Sequence, residues 1–323
     1  MNTPHTGPPR VVTSIPVGAK PLAVAVDVQR RVFVTNSGAA TVSVIDSSTN
    51  TVSATLGVGS RPEGVATDPQ FGTCVVNGGD NTVSMLDKSH HLVATVSVEG
   101  LFVGPPPPVT RVAVDHQLAR AYVTHRGSAR LSAIGIGGQL PPFAPPFSEV
   151  PGALGVAVDP VSHRVFVTQP DLDTVSMIDP ATGAVEATIP VRQQPTGIAI
   201  DGPRHRVYVA DSGVHTVSVI DTATGGVTEL DVAAVPVGIA VDSRGDAYVT
   251  HVDGTVRAID AASGSVSATL PVGSQPEGVA FEPHSNRLYV ANSGEDTVSV
   301  IDLAAGGGGP PQGTALTSRA SGP

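Results

Sequence analysis

Two histidines, His125 and His251, stand at one fixed place in a recurring unit where other copies carry Asn36, Asn77, Gln169, Asp211 and Asn292. Imidazole acts as a base, an acid or a metal ligand near neutral pH, so these departures are the first candidates for chemistry. Two carboxylates, Glu63 and Glu277, recur at a second fixed place, each within Pro-Glu-Gly. The other copies hold Leu22, Thr110, Leu154, Thr196 and Val237 there. Carboxylate–imidazole pairs shift each other's pKa and suit proton transfer or the binding of a divalent metal. One residue further on, Arg111 replaces what is Gly64, Gly155, Gly197, Gly238, Gly278 or Ala23 elsewhere. A long cation at so small a position either pairs with Glu63 or anchors an anionic group of a substrate.

The elements that position these residues follow from the repeat. The stretch from Pro276 to Asp302 ends in Val-Ile-Asp, and equivalent endings fall at Asp46, Asp87, Gly135, Asp179, Asp221, Asp260 and Asp302. The steps are 41, 48, 44, 42, 39 and 42 residues, a period that marks a repeat architecture. Each unit reads as four strands: GVAVD-like, RVYVAN-like, TVSVID-like, and a fourth such as residues 185–191. Apolar residues fall on both parities of the inner strands, which predicts burial on both faces. Four-stranded sheets stacked radially form a β-propeller, here all-β with seven blades. The last unit stops after its third strand, and Val11–Val17 matches a fourth strand, so the N-terminal strand should complete the last blade. The propeller should span 10–305, with a flexible segment at 1–9 and a disordered Gly/Pro-rich tail at 306–323.

On this wheel the first strands line a channel, and Glu63 and Glu277 ring its mouth on blades two and seven. His125 on blade three and His251 on blade six then neighbour them, giving two Glu/His pairs. The bland alternatives are turn-capping histidines and solvated glutamates. Asn36, Asn77, Asp211 and Asn292 either complete a substrate-binding rim or bond the turn that follows them. The link into blade three is the longest, and its extra residues place Phe102 before the run Pro105–Pro108. That insertion is either a partial lid over the channel or a tolerated surface loop. Leu140 to Phe147 should form the fourth strand of blade three.

The Phe33-Val34-Thr35-Asn36, Tyr248-Val249-Thr250 and Tyr289-Val290-Ala291-Asn292 stretches, each followed by a VSVID-like strand, resemble the YVTN-repeat β-propellers over about residues 10–305. The resemblance implies the fold. Its known members include surface-layer and periplasmic proteins, some of which bind DNA. A looser similarity, in size and blade count, is to the streptogramin lyases and propeller lactonases.

Composition narrows the partners. The net charge is −10 and the 18 basic residues are scattered, which argues against a nucleic-acid surface. No apolar run is long enough to span a membrane, and the opening MNTPHTGPPR lacks one altogether, so the expected location is cytoplasmic. The single cysteine, Cys74, sits in a valine-rich strand and reads as a core residue. No nucleotide loop, dinucleotide fingerprint or Cys-x-x-Cys is present. The expected function is a small-molecule enzyme of lyase, cyclase or hydrolase type in a biosynthetic pathway. It would use no organic cofactor, with a divalent metal left open. The alternative is a non-catalytic platform for a protein or peptide partner.

Overall fold

The structure, a computed structural model, describes residues 8–98, 109–125, 129–136 and 148–303. Seven four-stranded antiparallel sheets succeed one another around a ring, each running from an inner to an outer strand in chain order. The exception is blade seven. Its inner three strands are Pro276–Glu282, Arg287–Asn292 and Thr297–Asp302, and its outer strand is the N-terminal Arg10–Pro16. Arg10 lies opposite Asp302, and Pro16 opposite Thr297. The closure expected from the sequence is therefore formed, and Ile15, at 4% exposure, seals it.

The packing of a blade rests on a size match across its first two strands. The first strand carries alanine at one repeated position: Ala25, Ala66, Ala113, Ala157, Ala199, Ala240 and Ala280. Opposite them lie Phe33, Cys74, Tyr122, Phe166, Tyr208, Tyr248 and Tyr289. A small residue on one strand leaves room for a ring on the next, and all six rings are buried. In blade two the ring is replaced by Cys74, and Met85 on the third strand is its cross-strand neighbour. Burial pushes the Cys74 thiol up to about 12, so it stays a neutral core group. Second strands such as Arg31–Asn36 are buried along nearly their whole length, as sheets sandwiched between neighbours must be.

The recurrent aspartates shape the turns on the bottom face. Asp27, at the end of the first strand, accepts backbone N–H bonds from Gln29 and Arg31. Asp46, ending the third strand, accepts the N–H and hydroxyl of Ser48. These are local side-chain caps that stop a strand and fix the next turn. The opposite, top face carries the turns between second and third strands and the links from one blade to the next.

Two expectations fall outside the described residues: Phe102 with its proline run, and Leu140 to Phe147. The outer strand that does pair in blade three is Ser148–Glu149, against Arg130 and Leu131. The segment 1–7 and the tail 306–323 also lie outside the described residues.

Candidate functional site at the channel mouth

A backbone irregularity creates the mouth. In six blades the first residue of the inner strand pairs with the last residue of the second strand, as Pro21 does with Asn36 and Pro276 with Asn292. The register then shifts before pairing resumes, at Val24 and Val279 in these two cases. Such bulges re-aim side chains. The residues they release, among them Leu22, Glu63, Thr110, Thr196, Val237 and Glu277, line a cavity of about 520 Å³ at the top of the channel, and Leu154 joins them from blade four. Two residues further along each inner strand, seven β-branched residues also line it as a collar, Val24, Val65, Val112, Val156, Ile198, Ile239 and Val279, while also packing into the cores between blades.

The next position explains the recurrent glycines. A Cβ on Gly155 would lie 2.2 Å from the Thr196 carbonyl oxygen of the following blade. For Gly197, Gly238 and Gly278 the equivalent distances are 2.4, 2.5 and 2.5 Å. Blades come this close because hydroxyls bridge them. Thr124 donates to the Leu154 carbonyl at 2.7 Å, Thr168 to that of Thr196 at 3.1 Å, and Thr250 to that of Glu277 at 2.7 Å. Blade two has Val76 at this position and no hydroxyl. There Arg111 supplies the donor, its Nη1 3.0 Å from the Thr110 carbonyl and 3.4 Å from that of Glu63.

Arg111 thus bonds the Glu63 backbone, while the Glu63 carboxylate is held at 2.8 Å by Arg61. Of the two alternatives for Arg111, the side-chain pair with Glu63 is not formed. Glu277 has a different setting. Burial pushes its carboxyl above the ordinary carboxylate range, and the Arg111 charge offsets this in part. Two carboxylates on blades that flank blade one therefore share the mouth in unlike surroundings.

The histidines do not join them. His125 and His251 are fully buried and neither lines the cavity. The expected Glu/His pairs are not assembled, because the end of the second strand turns into the blade and not toward the channel. His125 Nε2 lies 2.8 Å from the Ser132 hydroxyl on the third strand. In blade six Arg257 replaces that serine and reaches Asp253, and neither ring nitrogen of His251 has a hydrogen-bond partner. The backbone at Val249 and Thr255 acts on that ring only weakly. Burial pushes both imidazoles down to about 4.

Asn36, Asn77, Asp211 and Asn292 are buried at the same place and do not line the cavity either. Asn36 donates to the hydroxyls of Thr41 and Ser43, Asn77 to those of Thr82 and Ser84, and Asn292 to those of Thr297 and Ser299. Asp211 accepts from Thr216 and Ser218, and burial pushes its carboxyl up to about 6. These groups stitch the second strand to the third. A signal for this was present in the sequence. The links into the three asparagine blades carry Gly18, Gly59 and Gly273, whose Cβ would fall 2.6–2.7 Å from the asparagine Cγ. The links into the Gln169, Asp211 and His251 blades carry Pro151, Arg192 and Ala233 instead. The residue at the strand end thus changes together with its packing partner.

Leu22, Leu154 and Val237 line the mouth as the first positions of the inner strands should, whereas sequence reasoning missed Ser212. The Ser212 hydroxyl sits 2.5 Å from that of Thr196 and donates to the Pro236 carbonyl. Among the described residues, no three His, Cys, Asp or Glu side chains converge as a metal site. Among the described residues at the mouth, Glu63 is paired with Arg61, and the Arg111 charge acts on Glu277.

Fold and site together define a seven-bladed propeller with a ligand-sized cavity on its axis. A family profile for the NHL repeat matches residues 193–220. No curated protein matches the chain by sequence. Among solved structures, virginiamycin B lyase from Staphylococcus aureus superposes with a TM-score of 0.76 at 12% identity, covering 90% of this chain and 98% of that one. A streptogramin B lyase gives 0.74 at 14% identity, covering 88% and 94%. Hydrazine synthase of Kuenenia stuttgartiensis gives 0.74 at 20% identity, covering 88% and 96%. A YVTN/NHL-type propeller is consistent with all of these.

Proposed function

We propose that the protein is a small-molecule enzyme that works by general acid–base catalysis at the channel mouth, of lyase, cyclase or hydrolase type. The observation that carries this reading is the unlike pair of carboxylates over one cavity. Glu277 is pushed up by burial and Glu63 is held beside a guanidinium. A carboxyl raised by burial suits the part of the acid, which leaves the second carboxylate over the cavity for that of the base. Glu277 would deliver a proton to a departing or carbonyl oxygen, and Glu63 would accept one from carbon or water. Arg111, held by the Thr110 and Glu63 carbonyls on the far side of Glu63, would hold the acceptor end of the substrate and balance charge that develops there. The structural likeness to two lyases of this architecture supports the choice of reaction class. No step is assigned to a metal, and none needs an organic cofactor. No helix among the described residues is long and apolar enough to cross a membrane. A cytoplasmic site of action in a biosynthetic pathway completes the proposal.

The test is turnover of candidate esters and β-substituted carbonyl compounds as a function of pH. Glu277→Gln should abolish turnover. In the wild type the rate should fall as pH rises through the raised Glu277 pKa, because the acid form is lost. Full turnover in both Glu277→Gln and Glu63→Gln, with stable folds, would refute the assignment.

A further inference from the structure

The cavity wall separates into two chemically distinct arcs. The charged groups lie on blades seven, two and three, as Glu277, Glu63 and Arg111, with Leu22 of blade one between the two carboxylates. The facing arc on blades four to six presents Leu154 and Val237, and the hydroxyls between them are already satisfied by each other and by the Pro236 carbonyl. Further along the inner strands of both arcs runs the collar of five valines and two isoleucines, contributed by every blade. β-Branched side chains are stiff at χ1, and these are held by packing between blades, so this part of the wall resists rearrangement. Among the described residues no aromatic side chain lines the cavity, and aliphatic side chains make up its apolar wall.

We infer that the site takes a non-aromatic, aliphatic compound with a carbonyl at one end. The carbonyl lies in the Glu277–Arg111 arc, and the hydrocarbon descends past Leu154 and Val237 into the collar. The guanidinium at the mouth is a donor and a cation, so it matches an acceptor and not a second cation. The inference rests on the acid–base reading of the same mouth and adds the class of substrate.

The experiment is a binding series on the intact protein with methyl butanoate, hexanoate, octanoate and decanoate, read by ligand-observed NMR or calorimetry. Each buried methylene should tighten binding about threefold to fourfold, until the cavity is full and the gain stops. Methyl 3-phenylpropanoate should bind at least tenfold more weakly than methyl octanoate. Ile198→Ala, which widens the collar, should move the plateau to a longer chain, and Ile198→Phe should weaken methyl octanoate at least tenfold. The Ala variant keeps the test decisive if the Phe variant does not fold. A flat chain-length series, equal affinity for the phenyl ester, or a plateau indifferent to Ile198→Ala would overturn the inference. Glu277→Gln separates the two ideas. A flat series alongside Glu277-dependent turnover defeats the substrate class alone. A rising series with turnover indifferent to Glu277→Gln defeats the catalytic assignment alone.

Discussion

Asp211 occupies a position that is asparagine in three other blades, and its charged form is buried against hydroxyls that would be equally served by an amide. Its pKa is raised from 3.8 to about 6, so the folded state holds its proton more tightly than the unfolded chain does. The group therefore weighs against folding above pH 6, and that penalty fades as pH falls toward 3.8. Asp211→Asn should raise stability at pH 7 by about 1–2 kcal/mol, with no gain at pH 4, as measured by urea denaturation at both values. The histidines act in the opposite sense. His125 and His251 are lowered from 6.5 to about 4, so the unfolded chain binds their protons first. Stability is full above pH 6.5 and should fall as pH drops toward 4, and replacing both by glutamine should flatten that decline. His125→Gln should also preserve the bond to Ser132, as Gln169 bonds Ser176 in blade four. Turnover should survive this change, since neither histidine lines the cavity. The sequence marked these histidines as unusual but not why. A strand end read in one dimension does not say whether its last side chain faces channel or blade interior. The carboxylates were legible because the Pro-Glu-Gly context places them at the bulge.

At the scale of the strand and its neighbour, the belt of hydroxyls around the channel is the device that holds blades at close range. Gly155→Ala puts a methyl 2.2 Å from a carbonyl oxygen and should cost several kcal/mol, visible as a lowered thermal midpoint. Arg111 is the belt's substitute where Val76 lacks a hydroxyl. Arg111→Gly should cost about 1 kcal/mol, and Val76→Thr in that background should recover it by reaching the Thr110 carbonyl, as Thr124 reaches that of Leu154. A double-mutant cycle with strong coupling between the two positions checks this. The same pair separates the residue's structural task from its catalytic one: the rescued variant should be stable yet impaired in turnover. The repeat exposed the odd arginine, but the missing threonine one blade back was invisible until the ring was closed.

For the whole molecule, closure by the N-terminal strand joins the two ends of the ring. Removing residues 1–16 strips the outer strand from blade seven, takes Ile15 with it and uncovers the core around Val298 and Val300. Stability should drop by several kcal/mol, and a synthetic peptide of residues 8–17 added in trans should restore part of it. Blade number, strand order and this closure were all readable from the spacing of the Val-Ile-Asp endings, because a repeat fixes geometry by translation alone. What the spacing could not supply was the inward or outward sense of each side chain at the rim.

Arg10 and Asp302 face each other at the bottom end of blade seven, across the molecule from the cavity. Anything tethered to either end of the ring hangs from that one corner. A protein immobilised on a bead through a residue beside Arg10 or beside Asp302 would turn the same mouth to the surrounding solution, and the two orientations should capture ligand equally well.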